Sequence, residues 1–317
     1  MTDTISGQGE VAFAFKCHED ELIGFLHAGD QRCDIGVLTL VAGGPQYRGG
    51  VGRQLVNLGR RLSSEGIPVM RFDHRGTGDS EGSFRRFSAM CDDIAAAIRE
   101  FRIRAPHVRG VILWGGCDSA TSALINAHKL PEVISVIAGN PFASSPVTSR
   151  KVARKHYLSR LGHASFWKKA VRMEYNPVDY AAAALRKSWG KIHKIPRDRE
   201  PGRQTGTGDD NFINDLLTGL QNFDGKVLFL MGDRFLLSDE FDALMDSSPG
   251  WRSAYGKSTH DRIDIQGGDQ VFSSTQAQDR MFDAASEWIH GAFPESVPSK
   301  DPSGWRQNAQ EQEQTPV

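Results

Sequence analysis

A chain of 317 residues, 39% hydrophobic and 24% charged, has the make-up of a packed globular protein, long enough for one large α/β domain with an insertion or for two small domains. A formal net charge of −1 supplies no field that would draw it to nucleic acid or anionic lipid. No apolar run approaches the ~20 residues of a membrane helix, and residues 1–10, polar and acidic, carry no secretion signal and read as a flexible N-terminus.

Residues 11–15 and 22–27 alternate like two opening strands joined by a polar turn. Residues 35–42 form a nearly continuous apolar run, as in a strand covered on both faces, and end in Gly43-Gly44-Pro45. Leu55, Leu58 and Leu62 recur at helical spacing over 53–65, with Gly66 as the stop. A short strand at 69–72 runs into the turn-rich Asp73-His74-Arg75-Gly76-Thr77-Gly78-Asp79-Ser80. Ser88 is placed to cap a helix whose apolar stripe is Met90, Ile94, Ile98 and Phe101. Strands follow at 111–114 and 134–138, with a helix to about 127 between them and Asn140-Pro141 as a stop.

This alternation predicts a mostly parallel, doubly wound sheet with helices on both faces. The rhythm breaks over 142–223, which is rich in Lys, Arg and aromatic residues, has helical patterns at 147–161, 167–173 and 212–220, and has a Gly/Arg/Pro-rich stretch at 196–208. It reads as a helical cap inserted between core segments 11–141 and 224–293. Further strands are expected at 226–231 and 262–265, then a closing helix at 275–290 and a disordered polar tail at 294–317.

The most informative segment is a strand, then Gly115-Gly116-Cys117-Asp118-Ser119, then a helix. An α/β-hydrolase presents its nucleophile on a sharp strand-to-helix turn of this kind, where small neighbours let the helix pack close to the strand. Gly115 fills one small position, and Ser119 stands where a second glycine is usual. Cys117 is the expected nucleophile, because a helix N-terminus favours thiolate and the Asp118 N–H faces a developing oxyanion. A buried structural cysteine and Ser119 as the nucleophile are the alternatives. After Gly43-Gly44-Pro45, Gln46 is the candidate second backbone donor, since proline has no N–H. Arg48 suits either a clamp on an anionic substrate or an ion pair. His74 reads as structural, within a brace formed by Asp73, Arg75 and Asp79. Four cysteines (Cys17, Cys33, Cys91, Cys117) make neither a disulfide framework nor a zinc pattern, so reduced thiols, a cytoplasmic setting and no metal or organic cofactor are expected.

The stretches 42–48, 71–76 with 78–82, and 113–118 resemble the exosortase A system-associated hydrolase 1 family, α/β hydrolases encoded beside bacterial exopolysaccharide and exosortase genes. The resemblance covers about 11–290 and weakens in the cap. It implies an α/β-hydrolase fold with an acid after the seventh strand and a histidine in an Asp-His-Thr-Phe-Ser loop, and a setting more than a reaction, since the family's substrate is undefined. Here that loop reads Asp269-Gln270-Val271-Phe272-Ser273, so Gln270 stands in the histidine's place. Phe235 falls where the acid should be, with Asp233 two residues early and Asp239 late. Glutamine cannot accept and return a proton near neutral pH. His260, Asp269 and Asp118 are the conceivable substitutes. Two expectations follow: an enzyme attacking an acyl ester or thioester through Cys117, or a degenerate hydrolase that binds an acyl ligand or a protein partner.

Overall fold

The computed structural model describes residues 9–41, 47–144, 212–233 and 236–298. Eight strands form one sheet in the order β1-β2-β4-β3-β5-β6-β7-β8. They are β1 (Glu10–Cys17), β2 (Asp20–His27), β3 (Ile35–Thr39), β4 (Val69–Phe72), β5 (Gly110–Gly116), β6 (Val133–Gly139), β7 (Lys226–Gly232) and β8 (His260–Ile265). β1 and β2 make an antiparallel hairpin, and β2 lies antiparallel to β4. From β4 across to β8 every pairing is parallel. The hairpin is tighter than the sequence suggests, because both strands run on to a Cys17–Asp20 pair and His18 adopts φ 55°.

The uninterrupted apolar runs are explained by two cores, one on each face of the sheet. On one face, helix α1 (Gln54–Ser64) places Leu55, Leu58 and Leu62 beside Met281, Phe282 and Ile289 of the last helix, α7 (Thr275–Ala292). On the other, α2 (Cys91–Arg104), α3 (Asp118–Asn126) and α4 (Phe212–Asn222) cover Leu113, Val136 and Phe229. Ser88 is not the cap of α2. A short 3-10 turn (Phe87–Ala89) precedes the helix, and Met90 takes the capping position without a side-chain bond.

The cap boundary also moves. The residues given to a cap include those of α4, yet Leu216 and Leu220 are buried in the core. Gly219 lies so close to α3 that an added Cβ would meet the Leu124 carbonyl oxygen at 2.2 Å. The rest of the cap expectation, over 145–211, lies outside the described residues, as do 1–8 and 299–317. The tail begins as packed chain, since Val297 is buried and the Asp34 amide donates to the Ser296 carbonyl at 3.3 Å. Two helices went unpredicted, α5 (Leu236–Met245) and α6 (Pro249–Tyr255); the second has Ser248 accepting from Trp251 N–H and proline at its start.

Buried polar groups lock the hairpin edge. Arg71 donates through Nε to His27 Nε2 at 2.7 Å and through Nη1 to the Arg48 carbonyl at 3.0 Å. That geometry needs a neutral imidazole, and burial, aided by the Arg71 charge, lowers the His27 pKa from 6.5 to about 4. Its contribution is therefore complete above pH 6.5 and is lost as pH falls from there through 4, amounting to about 3 kcal/mol. Denaturant midpoints at pH 7 and pH 5 test this. The drop should be smaller in His27→Gln, which keeps an acceptor but cannot titrate, and an equal drop in both proteins would contradict it.

Candidate active site

β3 sends its chain to one side of the sheet and β5 sends its chain to the other. Their carboxyl ends flank the crevice where such sheets bind ligands. Cys117 sits there, between the end of β5 and the start of α3, with φ 52° and ψ −118°. A non-glycine residue in that region is strained, and the surroundings hold it in place. The Cys117 amide donates to the Gly139 carbonyl at 2.8 Å, and its own carbonyl accepts from Thr121 and Phe142 amides at 3.2 and 3.3 Å. An added Cβ at Gly115 would lie 2.5 Å from the Ala120 nitrogen, so only glycine lets α3 fold back onto β5.

Ser119 is not a nucleophile. Its hydroxyl accepts from the Gly116 amide and donates to the Gly116 carbonyl, both at 2.9 Å, and the side chain is buried. The hydroxyl closes the turn that a second glycine would otherwise make. Asp118 is the first residue of α3, so its N–H is among those a helix leaves without an internal partner, available to an oxyanion. The other expected donor, Gln46, falls outside the described residues.

Cys117 opens onto a cavity of about 180 Å³. Its described walls are mainly apolar, with Leu40, Val51, Trp114, Val271, Phe272 and Met281 among them. Asp118, Gln54 and Gln270 add polar groups. The Cys117 thiol donates to the Gln270 backbone carbonyl at 3.5 Å. Burial pushes the thiol up to about 11, and the nearby Asp118 charge acts in the same direction, while a hydrogen bond from the Gln270 side chain opposes both. Burial also raises the Asp118 carboxyl above its ordinary value. The resting sulfur is therefore a protonated thiol near neutral pH.

Gln270 thus stands beside the sulfur, and Asp118 shares the cavity with it, whereas His260 and Asp233 do not. His260 occupies the first position of β8, paired with Val227, while the loop facing Cys117 follows Ile265 at the strand's far end. Those ends are separated by roughly 16 Å of strand. The His260 Nδ1 is engaged with the Tyr255 carbonyl at 2.9 Å. Asp233 is exposed, and its carboxylate accepts from the Gly267 amide at 2.8 Å. It braces the loop after β8 and does not line the cavity. Asp269 accepts from the Ser273 amide at 2.8 Å and from the Ser273 hydroxyl, which holds its carboxyl below the usual range. Phe235 lies outside the described residues.

The loop after β4 is structural. Arg48 pairs with fully buried Asp73 and with Asp79, so it is not a free clamp for an anionic substrate. Arg75 turns away from those carboxylates and pairs with buried Asp93 at 2.7 Å. His74 is buried against Phe84, with Nδ1 engaged by the Arg75 carbonyl at 3.1 Å.

One contributor escaped the sequence reading. Asn140, expected only to stop β6, donates through Nδ2 to the carbonyls of Asp269 and Gln270, each at 3.0 Å. Its Oδ1 accepts from the Gly232 amide at 2.7 Å and from the Ser238 hydroxyl at 3.4 Å. It adopts φ 44°, a conformation asparagine tolerates better than most residues. That tolerance was the available signal. Among the described residues, no cluster of His, Cys, Asp and Glu could hold a metal ion. No described helix is long and apolar enough to cross a membrane.

A family model described as serine aminopeptidase, S33, matches residues 48–174, which span β4, β5 and the elbow. No curated protein matches. Among solved structures, an esterase from Pyrococcus furiosus is similar at 13% identity and TM-score 0.57, over 90% of this chain and 93% of that one. An α/β hydrolase from Penicillium is similar at 16% identity and TM-score 0.56, over 90% and 99%. A proline iminopeptidase from Mycobacterium smegmatis is similar at 15% identity and TM-score 0.54, over 89% and 98%. With its parallel sheet, its strained elbow residue and these neighbours, the chain has the α/β-hydrolase fold.

Proposed function

We propose that this protein acts on an acyl ester or thioester through Cys117, as a hydrolase or acyltransferase. The single observation that carries the reading is the positive φ of Cys117 at the end of β5, held beside an apolar cavity. A cysteine needed only for packing has no reason to occupy a strained elbow. In the reaction the sulfur attacks the acyl carbonyl while the amides of Asp118 and Gln46 hold the oxyanion. Collapse expels an alcohol or thiol, which takes up the thiol proton, and leaves an acyl thioester on Cys117. Water or a second acceptor then releases the acyl group. The apolar walls fit a short, uncharged acyl chain. The family resemblance supports a bacterial exopolysaccharide or exosortase setting for such a reaction, and the cysteine pattern supports a cytoplasmic one. The fold neighbours named as an esterase and an iminopeptidase are compatible with acyl chemistry, though the fold alone does not select it.

A second reading, acyl binding without turnover, is favoured by one observation: the thiol donates to a backbone carbonyl instead of to an imidazole. Aryl esters and acyl thioesters tested on the unmutated protein and on Cys117→Ala separate the two. The enzymatic reading expects turnover and an acyl adduct on the Cys117 peptide, both lost in Cys117→Ala. Equal rates in the two proteins would remove it. Ligand binding in both proteins, with no adduct in either, would establish the second reading.

A further inference from the structure

We infer that Asn140 is a positioning residue that fixes the Gln270 carbonyl as the acceptor of the Cys117 S–H, holding the thiol at rest. The inference deepens the proposed site. It concerns the state of the sulfur before any substrate arrives.

The geometry is a closed relay. Asn140 follows β6, the neighbour of β5, and its amide spans the carboxyl ends of β6 and β7 together with the loop after β8. On one side, Oδ1 is fixed by the Gly232 amide at 2.7 Å. On the other, Nδ2 draws in the carbonyls of residues 269 and 270, both at 3.0 Å. The Gln270 carbonyl so held is the acceptor of the Cys117 thiol at 3.5 Å. The elbow is tied to the same strand end, because the Cys117 amide donates to Gly139, the residue before Asn140. Sulfur and acceptor are thus both referenced to residues 139 and 140.

A carbonyl oxygen accepts a proton-bearing partner and repels an anion, so this arrangement favours S–H over thiolate. Of the neighbouring groups, the Asp118 charge acts in the same direction, while a hydrogen bond from the Gln270 side chain opposes it. Asp118 on α3 disfavours a second negative charge, and the Asp269 carboxylate is turned into its own loop by Ser273.

The test is alkylation of Cys117 by iodoacetamide, read on its peptide by mass spectrometry across pH 7 to 10. Asn140→Gly removes the amide while accepting the positive φ. It is expected to raise the alkylation rate at pH 8 about two- to fivefold, the range set by losing one modest hydrogen bond, and to move the profile to lower pH. Ser238→Ala, which removes a bond on the other side of Asn140, should leave the rate unchanged. An unaltered profile in folded Asn140→Gly overturns the inference. In the unmutated protein, an infrared difference spectrum against Cys117→Ala should show the S–H stretch at the lowered frequency of a hydrogen-bonded thiol. A free-thiol frequency overturns the inference whether or not any variant folds. Neither readout requires acyl turnover, so failure here and failure of the proposed activity remain distinguishable.

Discussion

Replacing Gln270 by histidine is expected to raise Cys117-dependent ester hydrolysis at pH 7 by about 10²–10⁴-fold, the usual contribution of a placed general base. The backbone at position 270 already lies beside the sulfur, since the thiol donates to its carbonyl, and Gln270 lines the same cavity. An imidazole there can take the thiol proton and return it to the leaving group, which glutamine cannot do. Cys117→Ala combined with Gln270→His should show none of the gain. A folded Gln270→His protein with less than a threefold increase would show that the surrounding site does not support ester hydrolysis even with a base in place.

The second large effect is on pH dependence. With the thiol pushed up to about 11 by burial, only about one molecule in ten thousand carries a thiolate at pH 7. Burial disfavours the charged form, so the thiolate fraction rises with pH. Cys117 alkylation should climb about tenfold per unit from pH 7 to 10 and level off near pH 11. The overall change from pH 7 to 10 is about a thousandfold. A plateau at or below pH 8 would mean that the sulfur has a cationic neighbour or a helix field strong enough to overcome its burial. In Gln270→His the same profile should flatten toward neutral pH, because an imidazolium beside the sulfur stabilises thiolate.

The parallel sheet and the elbow could be read from the chain because both impose local demands. The apolar strands 69–72 and 226–231 are buried on both faces, and Gly115 and Cys117 sit where a strand must turn into a helix at once. The partners were harder to read because their roles depend on tertiary distance. His260 is ten residues from Gln270 in sequence, but β8 carries it to the opposite end of the sheet. Arg75 belongs to a charged loop that suggests a self-contained brace, yet its carboxylate comes from Asp93 on α2. Asn140 had the composition of a stop signal, and only the convergence of β6, β7 and the loop after β8 turns its amide into a clamp. Ser119 shows the reverse case. A residue that looks like a blemish in the elbow pattern satisfies the turn through its hydroxyl.

Because Asn140 grips main-chain oxygens and not a side chain, these contacts do not depend on which side chain stands at position 270. Position 270 can therefore be varied while the main-chain clamp is kept. Saturation of this single site would sample neutral, acidic and basic neighbours for the same sulfur without re-engineering the scaffold. The chain is accordingly a natural host for comparing how different proton acceptors tune one elbow thiol.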